Sequence, residues 1–308
     1  MSRPQATSDR LSTSGPRLLA LGPGDGWHAD RLRTAATQLG GTLVYAAYES
    51  LAATIDASGR RIATSSAGEL TAFDAVLCRT MPAGSLEQVS FRLAVLHAAF
   101  AAGVRLVNPP RTLELAIDKY ATLSIVASLG YRVPETIVVQ SRGEALTAFD
   151  SLGGDVVVKP IFGGEGRGVM RICDRQLAWH AFSTLERLAS VLYVQKFVPP
   201  GGSDIRLLVI GDRVVGIRRT NDRDFRTNVS GGGIGRAIEP TPEMTQLALR
   251  VAATMGLEIG SVDLIDCDRY GHVIIEVNAV PGWKGAQGCC DVDLAEMMIR
   301  QLIRESST

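Results

Sequence analysis

The stretch D-V-V-V-K-P-I-F-G-G-E-G-R-G-V, Asp155 to Val169, decides the fold of this chain. Three successive valines favour a buried strand, and the strand ends in Lys159 and runs straight into a loop with glycine at 163, 164, 166 and 168. Glycine lets backbone N–H groups come close to an anion and adopt positive φ, while a lysine at a strand end adds a point charge. The loop is therefore read as a cover for phosphates, against the plainer alternative of a glycine-rich hairpin beside a surface lysine. It is not a Walker A loop, which needs its lysine after the glycines.

Downstream, I-G-S-V-D-L-I-D-C, a D-R-Y-G turn and H-V-I-I-E-V-N-A-V-P-G read as a β-hairpin. Residues two apart on a strand share a face, so Glu276 and Asn278 are expected to point together, with Ile275 and Val277 packing the other way. Asp263 on the paired strand can join them. Oxygen side chains without His or Cys suit a hard cation, and magnesium completes its octahedron with water and phosphate. The alternative is a solvated polar face, which the flanking Ile274, Ile275 and Val277 argue against.

Between these two motifs lie Y-V-Q-K-F-V-P-P-G-G-S-D-I-R and, after the L-L-V-I-G-D-R-V-V-G-I hairpin, D-R-D-F-R-T-N. Arg206, Arg226 and Asn228 are candidates for anion contacts. Taken singly, each arginine reads as a surface charge sooner than as a ligand, and only their order between lysine loop and acidic hairpin favours a site.

Outward from this centre the grammar is α/β. From Arg17, L-L-A-L-G-P, a helix to about Leu39 and T-L-V-Y-A-A-Y alternate as βαβ, continued by F-D-A-V-L-C-R-T, a helix from about Leu86 to Ala102 and V-R-L-V-N-P-P. The expected organisation is a disordered tail over 1–15 and a Rossmann-like subdomain over 16–110. A central subdomain with the glycine lid follows over 111–190, and a C-terminal one over 191–308. One helix is expected over Leu113 to Leu129, and others at Glu243 to Met255 and Val292 to Arg304. At 308 residues, 46% hydrophobic and 21% charged, the chain is in the globular range. Its 32 basic residues balance 32 acidic ones, so no global field favours nucleic acid or a membrane, and any anion site is local. Five cysteines form no spaced framework, and no apolar leader or span is seen, which points to the cytoplasm.

In this order the lysine strand, glycine loop, Q-K-F-V hinge, D-I-R, D-F-R-T-N and E-V-N resemble the ATP-grasp superfamily, specifically its RimK-like amino-acid ligases, over roughly residues 75 to 305. The resemblance implies an ATP-grasp fold, with a subdomain in front of two that clasp ATP, and an ADP-forming carboxylate–amine ligase using two Mg2+ ions, or Mn2+ in their place. It implies that Lys119 and Lys159 hold the phosphates beneath Gly163, Gly164, Gly166 and Gly168. Adenine would lie on Gln195, Lys196, Phe197 and Val198, and the ribose on Asp204. Arg226, Thr227 and Asn228 would meet the phosphates, with Arg226, Asn228 and Lys159 also at the reacting carboxylate. Asp263, Glu276 and Asn278 would hold the metals, and Arg79, Arg206 and Arg218 the substrate. Two positions depart from the usual pattern: Lys196 replaces glutamate in the hinge, and Val280 stands where the ribosomal-protein ligases have serine.

The stretch C-R-T-M-P-A-G-S-L-E-Q-V-S-F-R and the later V-N-P-P look more like the cofactor-directed α-L-glutamate ligases, such as those acting on tetrahydromethanopterin. The expected partners are accordingly L-glutamate and a small-molecule carboxylate, with no nucleic acid and no membrane. Self-association is left open. Two alternatives are a ribosomal-protein glutamate ligase and a non-catalytic nucleotide-binding module. A dehydrogenase fails on its fingerprint, because Trp27 stands where G-x-G-x-x-G needs glycine.

Overall fold

A computed structural model describes residues 15–304, apart from 165, 229, 230, 268 and 270. The expected disordered tail therefore lies outside the described residues save for Gly15. The chain divides into two compact units, one running to Leu106 and resuming at Met298, the other spanning Val107–Met297.

The first unit contains β1 (Arg17–Leu21), α1 (Trp27–Gln38), β2 (Thr42–Ala46), β3 (Ala52–Ile55), β4 (Arg61–Ser65), β5 (Gly68–Glu69), β6 (Ala75–Cys78) and α2 (Leu86–Ala101), and β7 (Leu106–Val107) closes it. One sheet has the order β2-β1-β6-β7, with β1 parallel to both neighbours. Leu18 to Leu21 and all of β6 are buried, as a parallel strand covered on both faces requires. Ser85 opens α2 with a reciprocal capping box to Gln88. β3, β4 and β5 form a separate antiparallel sheet where the sequence reading placed no element. Its strands are short and mostly exposed or half-buried, so they carry little apolar alternation. The chain's return to this unit is fixed by Arg105, which donates to Leu302 O and Gln301 O at 3.1 and 2.9 Å.

The second unit begins with α3 (Pro110–Ile117) and α4 (Lys119–Ser128), where one continuous helix was expected. Asp118 breaks it: its backbone is extended, and its carboxylate accepts from Tyr120 N and Ala121 N. A side chain that caps a new helix competes with continuing the old one.

β8 (Thr136–Val139), α5 (Arg142–Ser151), β9 (Val156–Lys159), β10 (Met170–Ile172), α6 (Arg175–Arg187) and β11 (Leu192–Lys196) follow, and their sheet has the order β10-β9-β11-β8. The sheet thus takes in β11, a strand beyond the boundary read at residue 190. Val156, Val158, Leu192 and Val194 turn one face of it onto α5 and α6, where Phe149 and Phe182 are buried.

The rest is β12 (Ser203–Ile210), β13 (Arg213–Thr220), β14 (Ile234–Ile238), α7 (Pro242–Met255), β15 (Ile259–Cys267), β16 (Gly271–Asn278), α8 (Lys284–Gln287) and α9 (Leu294–Ile303). Five antiparallel strands run in the order β14-β13-β12-β15-β16. Gly256, in the left-handed region at φ 67°, ends α7 as a C-cap glycine does. Among the described residues, no helix is long and apolar enough to cross a membrane.

Candidate active site

Strand alternation delivers the first lysine. Val156 and Val158 face the helices, so Val157 and Lys159 face the other way, opposite Gln195 and Tyr193 of β11. Lys159 Nζ donates to Gln195 Oε1 at 2.7 Å, and Gln195 Nε2 in turn donates to Thr136 Oγ1 and Tyr193 Oη at 2.9 and 3.1 Å. Gln195 is thus oriented on both sides and holds the ammonium where the strand puts it. Burial pushes the Lys159 ammonium down, Lys119 adds to this, and Glu276 and Asp263 oppose it, leaving a value of about 8.

The helix break delivers the second lysine. Lys119 is the first residue of α4, and it is buried. Its ammonium donates to Gly163 O in the glycine loop and lies 3.5 Å from Glu276 Oε1. The two lysines bring to this spot the positive charge that phosphate oxygens require, while the first N–H groups of α4 are already taken by Asp118 and by Ile161 O.

Gly163, Gly166 and Gly168 all have positive φ. A Cβ at Gly166 would stand 2.7 Å from Asn228 Oδ1, and one at Gly168 2.8 Å from Pro160 Cγ, so the loop lies close over its neighbours.

Asp263 and Glu276 are directly opposed across β15 and β16, with Asn278 two residues on. The pairing shifts between Asp263 and Leu264, which faces Ile274, so Ile275 is an extra residue. Such a bulge breaks the alternation. Ile275 consequently lines the cleft beside Glu276, with Ile265, instead of packing the other way as the alternation suggested. The Asn278 Nδ2 atom is buried with no hydrogen-bond partner.

Asp263 is 1% exposed and sits in an ionic network. Arg206 grips it with Nε and Nη2 at 2.8 and 2.6 Å, and Arg219 Nη2 reaches it at 2.9 Å. Arg219 also takes Asp204 with two N–H groups, its Nε at 2.7 Å, and Thr227 Oγ1 donates to Asp204 Oδ2 at 2.6 Å. Burial alone would raise the Asp263 carboxyl, but the two guanidiniums outweigh it and hold the group well below the usual carboxylate range.

Arg219 was not singled out in the sequence. The signal is present: counting back along β12 and forward along β13 from the Gly211–Asp212 turn sets Asp204 opposite Arg219. Arg218, read as a substrate residue, turns to the other face and meets Asp266 at 3.6 Å. Arg226 pairs with Asp224 at 2.6 Å near the same cleft and is 40% exposed.

At the hinge, Phe197 meets Phe225 edge-on and carries the Arg171 guanidinium 3.5 Å from its ring centroid. The Lys196 ammonium turns outward to Glu135 at 3.1 Å, so the substituted side chain is engaged away from the hinge backbone.

Arg79 is buried at the end of β6 in the first unit, where Tyr48 Oη donates to its carbonyl at 3.1 Å. Asn108, part of the stretch that suggested a small acceptor, serves the fold. Its amide donates to Ile259 O and Ala279 O and accepts from Glu258 N and Ile259 N.

Residues 116–302 match the family model described as the RimK-like ATP-grasp domain. The chain is 31% identical over 267 residues to the tetrahydromethanopterin:alpha-L-glutamate ligase of Methanosarcina acetivorans, covering 77% of this chain and 82% of the relative. It is 31% identical over 289 residues to the ribosomal protein bS6–L-glutamate ligase of Escherichia coli, covering 90% and 92%. Among solved structures, the ATP-grasp ligase PsnB with a phosphomimetic precursor variant, Mg and ADP superposes with a TM-score of 0.70 at 19% identity, covering 93% of this chain and 97% of that one.

Proposed function

This chain belongs to the RimK-like ATP-grasp family, and from that premise we propose that it is an ATP- and Mg2+-dependent ligase. In this reading it couples the amine of L-glutamate to a carboxylate of a small cofactor and releases ADP and phosphate. The observation that carries the reading is the convergence of Lys119, Lys159, Asp263 and Glu276 in one cleft. The ammoniums of Lys119 and Lys159 act together on Glu276, and Asp263 and Glu276 oppose each other on neighbouring strands.

The donor set fits a hard cation. Among the described residues no cluster of three or more His, Cys, Asp or Glu side chains is placed to hold a metal. The site would instead use two carboxylates and the carbonyl oxygen of the Asn278 side chain, two residues along the strand from Glu276, with water and phosphate completing the shell. Bound there, magnesium supplies charge neutralisation at the triphosphate.

In the first step an acceptor carboxylate oxygen attacks the γ-phosphorus, and the bond to the bridging oxygen breaks, giving an acyl phosphate and ADP. The free amine of glutamate then attacks the acyl carbon, phosphate leaves, and the amine proton passes to solvent. No protein nucleophile is needed, because positioning and charge dominate such transfers. Lys119 and Lys159 neutralise phosphate oxygens, and the glycine loop excludes water above them. The Gln195, Phe197 and Phe225 side of the cleft receives the base. Arg226 and Asn228 lie where the glycine loop meets the cleft, suited to the reacting carboxylate.

A formal net charge of zero gives no long-range attraction to a ribosomal surface, whereas a small anion needs only a local pocket; this favours the cofactor as acceptor. The test offers the purified protein ATP, Mg2+ and glutamate with a pterin carboxylate or with ribosomal protein bS6. The expected product is the pterin heavier by one glutamyl unit. Modification of the ribosomal protein alone overturns the acceptor, and ADP release without any amide product overturns the ligase reading.

A further inference from the structure

The three carboxylates of the cleft are already paired with protein cations. Asp263 takes Arg206 and Arg219, Asp204 takes Arg219, and Glu276 takes Lys119. Two aspartates and two arginines sum to zero charge. A divalent cation arriving alone at Asp263 would meet a guanidinium on each side, and at such short range in a buried site the repulsion is large.

The two arginines are not equivalent. Arg219 is 9% exposed at its side chain and holds Asp204 with two N–H groups, so its withdrawal would leave a second buried carboxylate unpaired. Arg206 has Asp263 as its carboxylate partner, is 17% exposed, and lines the cleft. Its Nη1 lies 3.4 Å from Gly282 O, at the far end of hydrogen-bond range. Arg206 can therefore swing into the cleft without abandoning a second buried charge.

Resting on the ligase reading above, we infer that Arg206 is an exchangeable counter-ion: the guanidinium that grips Asp263 yields that carboxylate to a divalent cation and turns to the anion in the cleft. Arg219 stays in place and positions both aspartates. The exchange makes metal and nucleotide binding cooperative, because the nucleotide's phosphates supply the negative charge that the displaced guanidinium and the cation both require. Metal alone binds weakly, which keeps the cleft from filling with cation before nucleotide arrives.

The test measures Mn2+ binding to the full chain by electron paramagnetic resonance, without nucleotide and then with ADP, at fixed ionic strength. Arg206→Met should tighten Mn2+ binding without nucleotide by roughly tenfold, the factor that about 1.4 kcal/mol of relieved repulsion produces. The gain that ADP confers on Mn2+ affinity should shrink by a similar factor. Arg206→Lys, which keeps the charge but cannot grip both oxygens, should fall between wild type and Arg206→Met, and it serves if the methionine variant folds poorly. Equal or weaker Mn2+ binding in both variants overturns the exchange while leaving the ligase reading intact. Absence of Mn2+ binding in wild type even with ADP overturns both.

Discussion

Lys159 Nζ and Gln195 Oε1 are 2.7 Å apart on adjacent strands, and Gln195 is itself held by Thr136 and Tyr193. The lysine is placed by β-sheet register and not by a flexible stem. Its ammonium, lowered to about 8 by burial first of all, is the cation that the proposed phosphate site stands to lose within an accessible pH range.

Nucleotide affinity should therefore fall as pH rises through about 8. The protonated form holds phosphate and predominates below that value; above it each pH unit weakens binding by up to roughly tenfold. Lys159→Arg, which stays charged, should flatten the profile. Calorimetric titration of ADP at pH 7, 8 and 9 checks this, and a level profile for the wild type would remove Lys159 from the phosphate site.

Asp118 accepts from Tyr120 N at 2.7 Å and sets Lys119 as the first residue of α4. Asp118→Ala should cost about 1 kcal/mol of stability, a melting-point loss of roughly 2–4 °C, and weaken ADP binding because Lys119 loses its anchor. Asp118→Asn, which can still cap, should restore both. A stability loss with unchanged ADP affinity would separate the cap from the site.

Glu276→Gln keeps shape and removes one charge opposite Asp263. Turnover should drop by at least roughly a hundredfold, with the fold unchanged by circular dichroism. ADP release near the wild-type rate would exclude Glu276 from the metal set.

Gly166 has φ of 72°, and a methyl there would stand 2.7 Å from Asn228 Oδ1. Gly166→Ala should cost about 1–2 kcal/mol for the left-handed backbone and push Asn228 aside. Turnover should fall by roughly ten- to a hundredfold for a displacement near 1 Å. Steady-state ADP release alongside a thermal melt distinguishes a lid effect from simple destabilisation; a melt change without a rate change would assign the loop no part in turnover.

Much of the site was legible from local pattern. The Lys159 strand, the glycine loop and the acidic hairpin each announce themselves within a dozen residues, because strand alternation and glycine's freedom are properties of neighbours in the chain. The same patterns carried the family. The helix break at Asp118 was less visible: apolar periodicity runs from Leu113 to Leu129, and nothing in that period says that one aspartate will cap a new helix and not ride on the surface of the old one.

The amino-acid sequence by itself determined the α/β class, the order of its motifs and the residue types available for phosphate and metal. Tertiary structure alone decided which of those residues share a space. The bulge that turns Ile275 into the cleft arises from pairing between β15 and β16, and the different fates of Arg218 and Arg219 follow from which face of the sheet each occupies. The return of the last helix to the first unit depends on Arg105 meeting carbonyls nearly two hundred residues away. Each is a consequence of register between distant segments, and a one-residue slip in such register exchanges the buried face for the exposed one.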